Sequence, residues 1–168
     1  DNFDYHIRTR QNCNIVYEDD SFRVKGSDES KKIKVYEKMK EEGHFTKDKT
    51  LQLFSPKYYE IMKNIDKYMS DETPTGKILF YSDFRKDAGS ESFEQILITN
   101  GYERYNNDIN ELLSKSNKKK RYTFITGEEK QEERRLNKEA FNHIDNLYGE
   151  YIFLEYSSLN ALESNAKN

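Results

Sequence analysis

The chain has 168 residues, enough for one domain, but 34% hydrophobic content set against 35% charged residues confines its core to a few short runs. A formal net charge of -3 is no global sign of a nucleic-acid or membrane binder, so such a function needs a local basic surface. No run approaches the ~18 apolar residues that cross a bilayer, no signal-peptide pattern opens the chain, and a single cysteine, Cys13, excludes an internal disulfide and makes a reducing compartment the default.

Residues 1–19 mix aromatics with Arg8 and Arg10, and the patch Ile15-Val16-Tyr17 predicts one strand or an extended segment packed on the domain. Residues 20–50 are dense in Lys, Asp, Glu and Ser. A weak stripe at Ile33, Tyr36 and Met39 there predicts a mobile insertion or linker with one marginal helix. Ser55 in N-cap position before Pro56, then Tyr58, Ile61, Met62, Ile65 and Met69 at three- and four-residue spacing, predict a helix from Pro56 to about Met69. Pro74 and Gly76 turn the chain into the apolar run Lys77 to Tyr81. Phe93, Ile96 and Leu97 share one helix face, and Gly101 after Asn100 is a left-handed C-cap. Residues 103–120 read as a polar insertion broken by Ile109, Leu112 and Leu113. Tyr122 to Thr126 follows as a second strand, then a charged helix from about Glu129 to Asn142 with a narrow stripe at Leu136, Ala140 and Phe141. Tyr151 to Leu154 is a third strand, and 156–168 turn small and polar.

Short apolar runs alternating with helices are the sequence form of βαβ units, in which a parallel sheet is buried between helices. The expected class is therefore α/β with a three-layer parallel sheet. In such sheets function collects at the carboxyl ends of the strands, so Ser82 to Arg85 and Thr126-Gly127 stand out. Hydroxyls, one guanidinium and close backbone approach at Ser82, Arg85, Thr126 and Gly127 suit phosphates along a nucleic-acid strand. The bland alternative is that Ser82 and Thr126 cap helices while Arg85 forms a surface ion pair.

Other motifs carry less. Gly76-Lys77 lacks the upstream glycine and the following Ser or Thr of a phosphate-binding loop, and Asp71-Glu72 sits in a turn instead of ending a buried strand. His6, His44 and His143 are isolated in sequence, so no metal site is expected, and Cys13 is read as a packed small side chain. Glu128-Glu129 and Glu132-Glu133 fit a solvated helix start. Lys118, Lys119, Lys120 and Arg121 form a solvated loop or a weak polyanion contact.

Beyond periodicity, the wording of the chain carries a resemblance. Gly76-Lys77-Ile78-Leu79-Phe80-Tyr81-Ser82-Asp83-Phe84-Arg85, Ala88-Gly89-Ser90, Asn100-Gly101-Tyr102-Glu103 and Arg121-Tyr122-Thr123-Phe124-Ile125-Thr126-Gly127-Glu128-Glu129 follow in order, with Glu133-Arg134, Phe141-Asn142 and Tyr148-Gly149-Glu150-Tyr151-Ile152 after them. Together they resemble the second RecA-like lobe of superfamily-two helicases, of the Swi/Snf-like type found in large DNA viruses, including poxvirus-type transcription helicases. Arg8-Thr9-Arg10-Gln11, Cys13-Asn14 and Ser55-Pro56-Lys57 look like the segment that precedes this lobe. The resemblance spans residues 8–155. It divides the chain into an inter-lobe segment with a partly disordered insertion (1–54), the carboxyl-terminal lobe (55–155) and a divergent or truncated tail (156–168).

The resemblance implies an ATP-driven motor whose two lobes close on ATP and step along DNA or RNA. Ser82, Phe84 and Arg85 fall on its motif IV and Thr126-Gly127 on its Thr-Gly element, both associated with the nucleic-acid backbone. ATP and Mg2+ belong to the full motor, and the other partner is a first helicase lobe. No membrane is implied, and the setting is intracellular, in an infected cell or a virion. The chain departs from the family after its third strand: Ser157-Ser158 and Ala161 echo the next motif without its glycines, and the arginine motif that reaches ATP is absent. With an initial Asp in place of Met as well, the chain is expected to be a piece of a motor, its lobe incomplete at the carboxyl end. It is expected neither to bind ATP nor to hydrolyse it in isolation. A non-catalytic α/β binding or regulatory module and a protein-interaction module using the lysine-rich insertion are the other classes.

Overall fold

Local sequence signals set most of the elements, which in chain order are α1 (Asn2–Asn12), a 3-10 turn (Asp20–Phe22), α2 (Glu29–Glu41), α3 (Leu51–Phe54), α4 (Pro56–Met69), β1 (Ile78–Tyr81), α5 (Ser90–Thr99), β2 (Glu103–Arg104), α6 (Ile109–Leu113), β3 (Lys120–Ile125), α7 (Gln131–Asn142) and β4 (Glu150–Glu155). The structure is a computed structural model that describes residues 2–23, 28–69, 77–113, 120–126, 129–143 and 150–155. The chain divides into two units, Asp1–Asp66 with Phe84–Asn100, and Lys67–Asp83 with Gly101–Asn168. Neither unit follows the divisions 1–54, 55–155 and 156–168.

The second unit holds a four-stranded, wholly parallel sheet in the order β1-β4-β3-β2. The three expected runs are its three longer strands, and the α/β class with a parallel sheet follows directly from them. In β3, residues 121–125 are all buried, as a strand covered on both faces requires. Part of that cover is α7, whose buried Asn137 donates from Nδ2 to the Phe124 carbonyl at 3.3 Å. Ala140 meets Tyr105 in a small cluster flanked by Ile109 and Phe141. The two-residue strand β2 carries no apolar run of its own and was not visible in the sequence; the Tyr105 N–H extends its pairing to the Tyr122 carbonyl at 2.8 Å. β4 is the interior strand, paired with β1 on one side and β3 on the other, so that both rows of its backbone polar groups are used. Among the described residues the edges are β1 and β2, and β1 turns Leu79 (59% exposed) and Tyr81 (52%) outward.

The first unit is helical. The Ile15 patch is the extended, packed segment its sequence predicts, held by the Val16 N–H donating to the Phe54 carbonyl at 2.7 Å, and α1 precedes it. One expectation is corrected here. Residues 20–50 are not a linker with a marginal helix; they supply α2 and bury Phe22, Tyr36, Met39 and Phe45. Few apolar residues lie in this stretch, but they are large, and each buried ring removes far more surface than its count suggests. Asp28 caps α2 by accepting the Lys31 N–H at 3.2 Å. Gly43, at φ +80°, ends it, with Gly43 N–H bonding the Lys40 carbonyl and His44 N–H the Met39 carbonyl, the paired bonds of a Schellman turn. In α4 the expected stripe is buried at Tyr58, Met62 and Ile65. Its N-cap, Ser55, accepts the Tyr58 N–H at 3.1 Å and donates to the Asn14 carbonyl.

Candidate nucleic-acid interface

At the carboxyl edge of the sheet, Tyr81 of β1 and Ile125 of β3 both pair with Glu155 of β4. Ser82 and Thr126 each follow by one residue, on either side of the same strand, and two inter-strand spacings set their backbones about 10 Å apart. Both side chains are buried. The Thr126 hydroxyl donates to Glu129 Oε1 at 3.0 Å and its N–H to Glu129 Oε2 at 2.7 Å. Glu129 is therefore folded back on the strand end and is not part of a solvated helix start. Arg104 approaches Glu129 at 4.0 Å and Glu133 at 3.6 Å, its guanidinium 5.6 Å from the centre of the Phe124 ring. At the Thr126 end the hydroxyl and N–H are thus both given to a carboxylate, with the Arg104 guanidinium beside it, and a phosphate would reach those donors only by displacing Glu129. Gly127 lies outside the described residues.

Phe84 and Arg85 belong to the first unit, in a tight turn leading into α5. Asp87 (φ +41°) and Ala88 (φ +65°) both adopt left-handed backbone, and the Ser90 and Glu91 N–H groups donate to the Phe84 and Arg85 carbonyls at 2.9 Å each. Any Cβ on Gly89 would stand 2.2 Å from the Phe84 carbonyl oxygen. The turn therefore consumes the first N–H groups of α5 internally, and none of these is aimed at an anion. Arg85 Nε donates to Glu91 Oε1 at 2.7 Å, and the other Glu91 oxygen lies 3.1 Å from Lys32 Nζ. Burial alone would lower the Lys32 ammonium, but Glu29 and Glu91 outweigh it and hold it above its ordinary range. Arg23 pairs with Asp87 at 3.1 Å. The Phe84 ring lies 5.2 Å from the Arg10 guanidinium. The expected set is thus placed as two groups, Ser82 with Thr126 on one sheet edge and Phe84 with Arg85 in one turn of the other unit.

The basic run is also divided. Lys118 and Lys119 lie outside the described residues, and Lys120 Nζ is 5.3 Å from the Tyr102 ring centre. Arg121 is corrected: it is only 5% exposed and pairs with Glu111 at 3.0 Å, because its position in β3 turns it into the fold instead of toward a polyanion. Cys13 is corrected as well, since it is exposed and not packed. Asp71, Glu72 and Gly76 lie outside the described residues.

Comparison with family models, curated proteins and solved structures returned no match. The chain's own residues therefore carry the functional reading. Two groupings escaped the sequence. Asn14, buried, donates to the Ala88 carbonyl at 2.9 Å, accepts from Lys57 Nζ at 2.7 Å and takes the Ser55 hydroxyl on its own carbonyl. Three separate stretches, Cys13-Asn14, Ser55-Pro56-Lys57 and Ala88-Gly89-Ser90, thereby meet at one side chain. The ligand atoms of Glu18, Glu42 and His44 also lie within 4.8 Å of one another. Only the Glu42-Gly43-His44 step across a helix end is visible in the sequence. No helix among the described residues is long and apolar enough to cross a membrane.

Proposed function

We propose that the chain supplies the second, three-layer RecA-like lobe of an ATP-driven superfamily-two helicase or translocase and contacts the nucleic-acid backbone at the carboxyl edge of its sheet. One observation supports this most: Ser82 and Thr126, named both by strand-end position and by motif order, flank the end of β4 on a parallel sheet, where α/β folds gather ligands. Backbone contact of this kind is independent of base sequence and weakens with salt. ATP and Mg2+ turnover belongs to the full motor with its first lobe.

The test is fluorescence anisotropy of a labelled single-stranded oligonucleotide at low and moderate salt, with Thr126→Ala and Arg85→Ala compared after a check of fold. Salt-weakened binding is expected. The Thr126 hydroxyl reaches a phosphate only by releasing Glu129 Oε1, so its loss should weaken binding at most roughly fivefold, one hydrogen bond's worth, and loss of Arg85 should reduce the salt slope by about one. A folded chain that binds nothing at low salt overturns the proposal. That outcome favours a non-catalytic binding or regulatory module, a reading supported by the internal ion pairs of Arg85 with Glu91 and Arg121 with Glu111.

A further inference from the structure

In the first unit, His44 follows the turn that closes α2, and its imidazole is 4% exposed, held between the rings of Phe22 (centroids 4.8 Å apart) and Phe54 (3.9 Å). A buried imidazole normally satisfies its ring nitrogens with hydrogen bonds. This one makes none among the described residues. Its Nε2 instead faces Glu42 Oε2 at 3.5 Å, too far for a hydrogen bond. Glu18 reaches the same point from the segment after α1, and both carboxylates are exposed to solvent.

We propose that Glu18, Glu42 and His44 form a divalent-cation site of the zinc class. Ligands at ~2.0–2.1 Å around a tetrahedral ion stand about 3.4 Å from one another. The 3.5 Å separation that is long for a hydrogen bond thus suits two ligands sharing an ion, and the full set, within 4.8 Å, closes by rotation of the two exposed glutamates. One imidazole with two carboxylates selects zinc-like ions over magnesium and calcium, which take oxygen alone. Three protein ligands leave a fourth position for water. Lys38 is the cation the metal must tolerate; its Nζ is engaged 4.0 Å from the Phe22 ring centre and 3.1 Å from the Ser21 hydroxyl. Bound metal would clip the segment at residue 18 to the end of α2. This inference does not depend on the helicase reading.

Calorimetric titration of zinc chloride into the chelator-treated full chain tests it, together with cobalt absorbance and thermal melting. The expected result is one ion per chain with a raised melting temperature, and a cobalt spectrum without a thiolate charge-transfer band. Affinity should fall roughly tenfold or more in Glu18→Gln and in Glu42→Gln, while Cys13→Ser leaves it unchanged. Both glutamates are exposed, so these variants retain the fold where His44→Ala can fail to. Absence of zinc binding, binding indifferent to both glutamates, or binding lost in Cys13→Ser overturns the proposal.

Discussion

Gly89 is the position where the backbone leaves no alternative. A side chain there meets main-chain atoms, the Phe84 carbonyl at 2.2 Å and that of Arg85 at 2.7 Å, which cannot rotate away. Gly101 differs, since it has φ +90° but open space around it, so alanine there meets only the left-handed backbone penalty. Gly89→Ala is therefore expected to destabilise the fold by about 3 kcal/mol or more, and Gly101→Ala by about 1 kcal/mol, read as shifts in urea midpoint. The reverse order would show that the turn does not pack as described. The sequence marks both glycines, but only Gly101 could be read for its reason, because a C-cap is a local pattern. The crowding at Gly89 comes from a chain reversal with two successive left-handed residues, Asp87, a type that tolerates that conformation, and Ala88, a type that does not announce it.

At the scale of elements, the clearest sequence signal was also the most accurate. Helix α4 begins at Pro56 and ends at Met69 as its spacing predicted, because Ser55, Pro56 and the apolar stripe all act within the helix itself. The same cap also ties the helix to a distant segment, since the Ser55 hydroxyl donates to the carbonyl of Asn14, 41 residues away. Ser55→Ala should thus lose both a helix cap and a buried tertiary bond and lower stability by about 2 kcal/mol, more than a cap alone at an exposed helix. A loss below about 0.5 kcal/mol in denaturant unfolding would argue against the tertiary bond, since surface substitutions fall in that range. Helix α2 shows the opposite case. Its buried side chains are Tyr36 and Met39, set in a helix made mostly of charged residues, and its packing against the rest of the unit decides its order. β2 was illegible for a related reason, as two charged residues become a strand only because β3 is there to pair with them.

Across the whole molecule the unusual aromatic content, thirteen tyrosines and ten phenylalanines, replaces a large aliphatic core, and this has a consequence for alkaline stability. Burial raises the Tyr17 phenol well above its ordinary value, with Asp87 adding to it, and burial likewise raises Tyr36 and Tyr58. The folded chain keeps these groups protonated, whereas the unfolded chain releases their protons near pH 10. Stability is then fully present below about pH 10 and falls as pH rises beyond it, because the unfolded state binds fewer protons there. Tyrosinate absorbance followed with far-ultraviolet circular dichroism checks this: Tyr17, Tyr36 and Tyr58 should ionise only as the helical signal is lost. Reversible ionisation of every tyrosine near pH 10 in a chain that stays folded would contradict it. The sequence by itself determined the α/β class, the three long strands, α4, α5 and α7, and the positions of Ser82 and Thr126 at strand ends, since each depends on periodicity or caps within a dozen residues. Only the tertiary structure decided that β4 lies inside the sheet, that Arg85 and Arg121 face carboxylates, that Asn14 joins three distant stretches, and that Glu18 meets Glu42 and His44. Those outcomes depend on which distant backbone or charge each group meets, and no local spacing encodes that meeting.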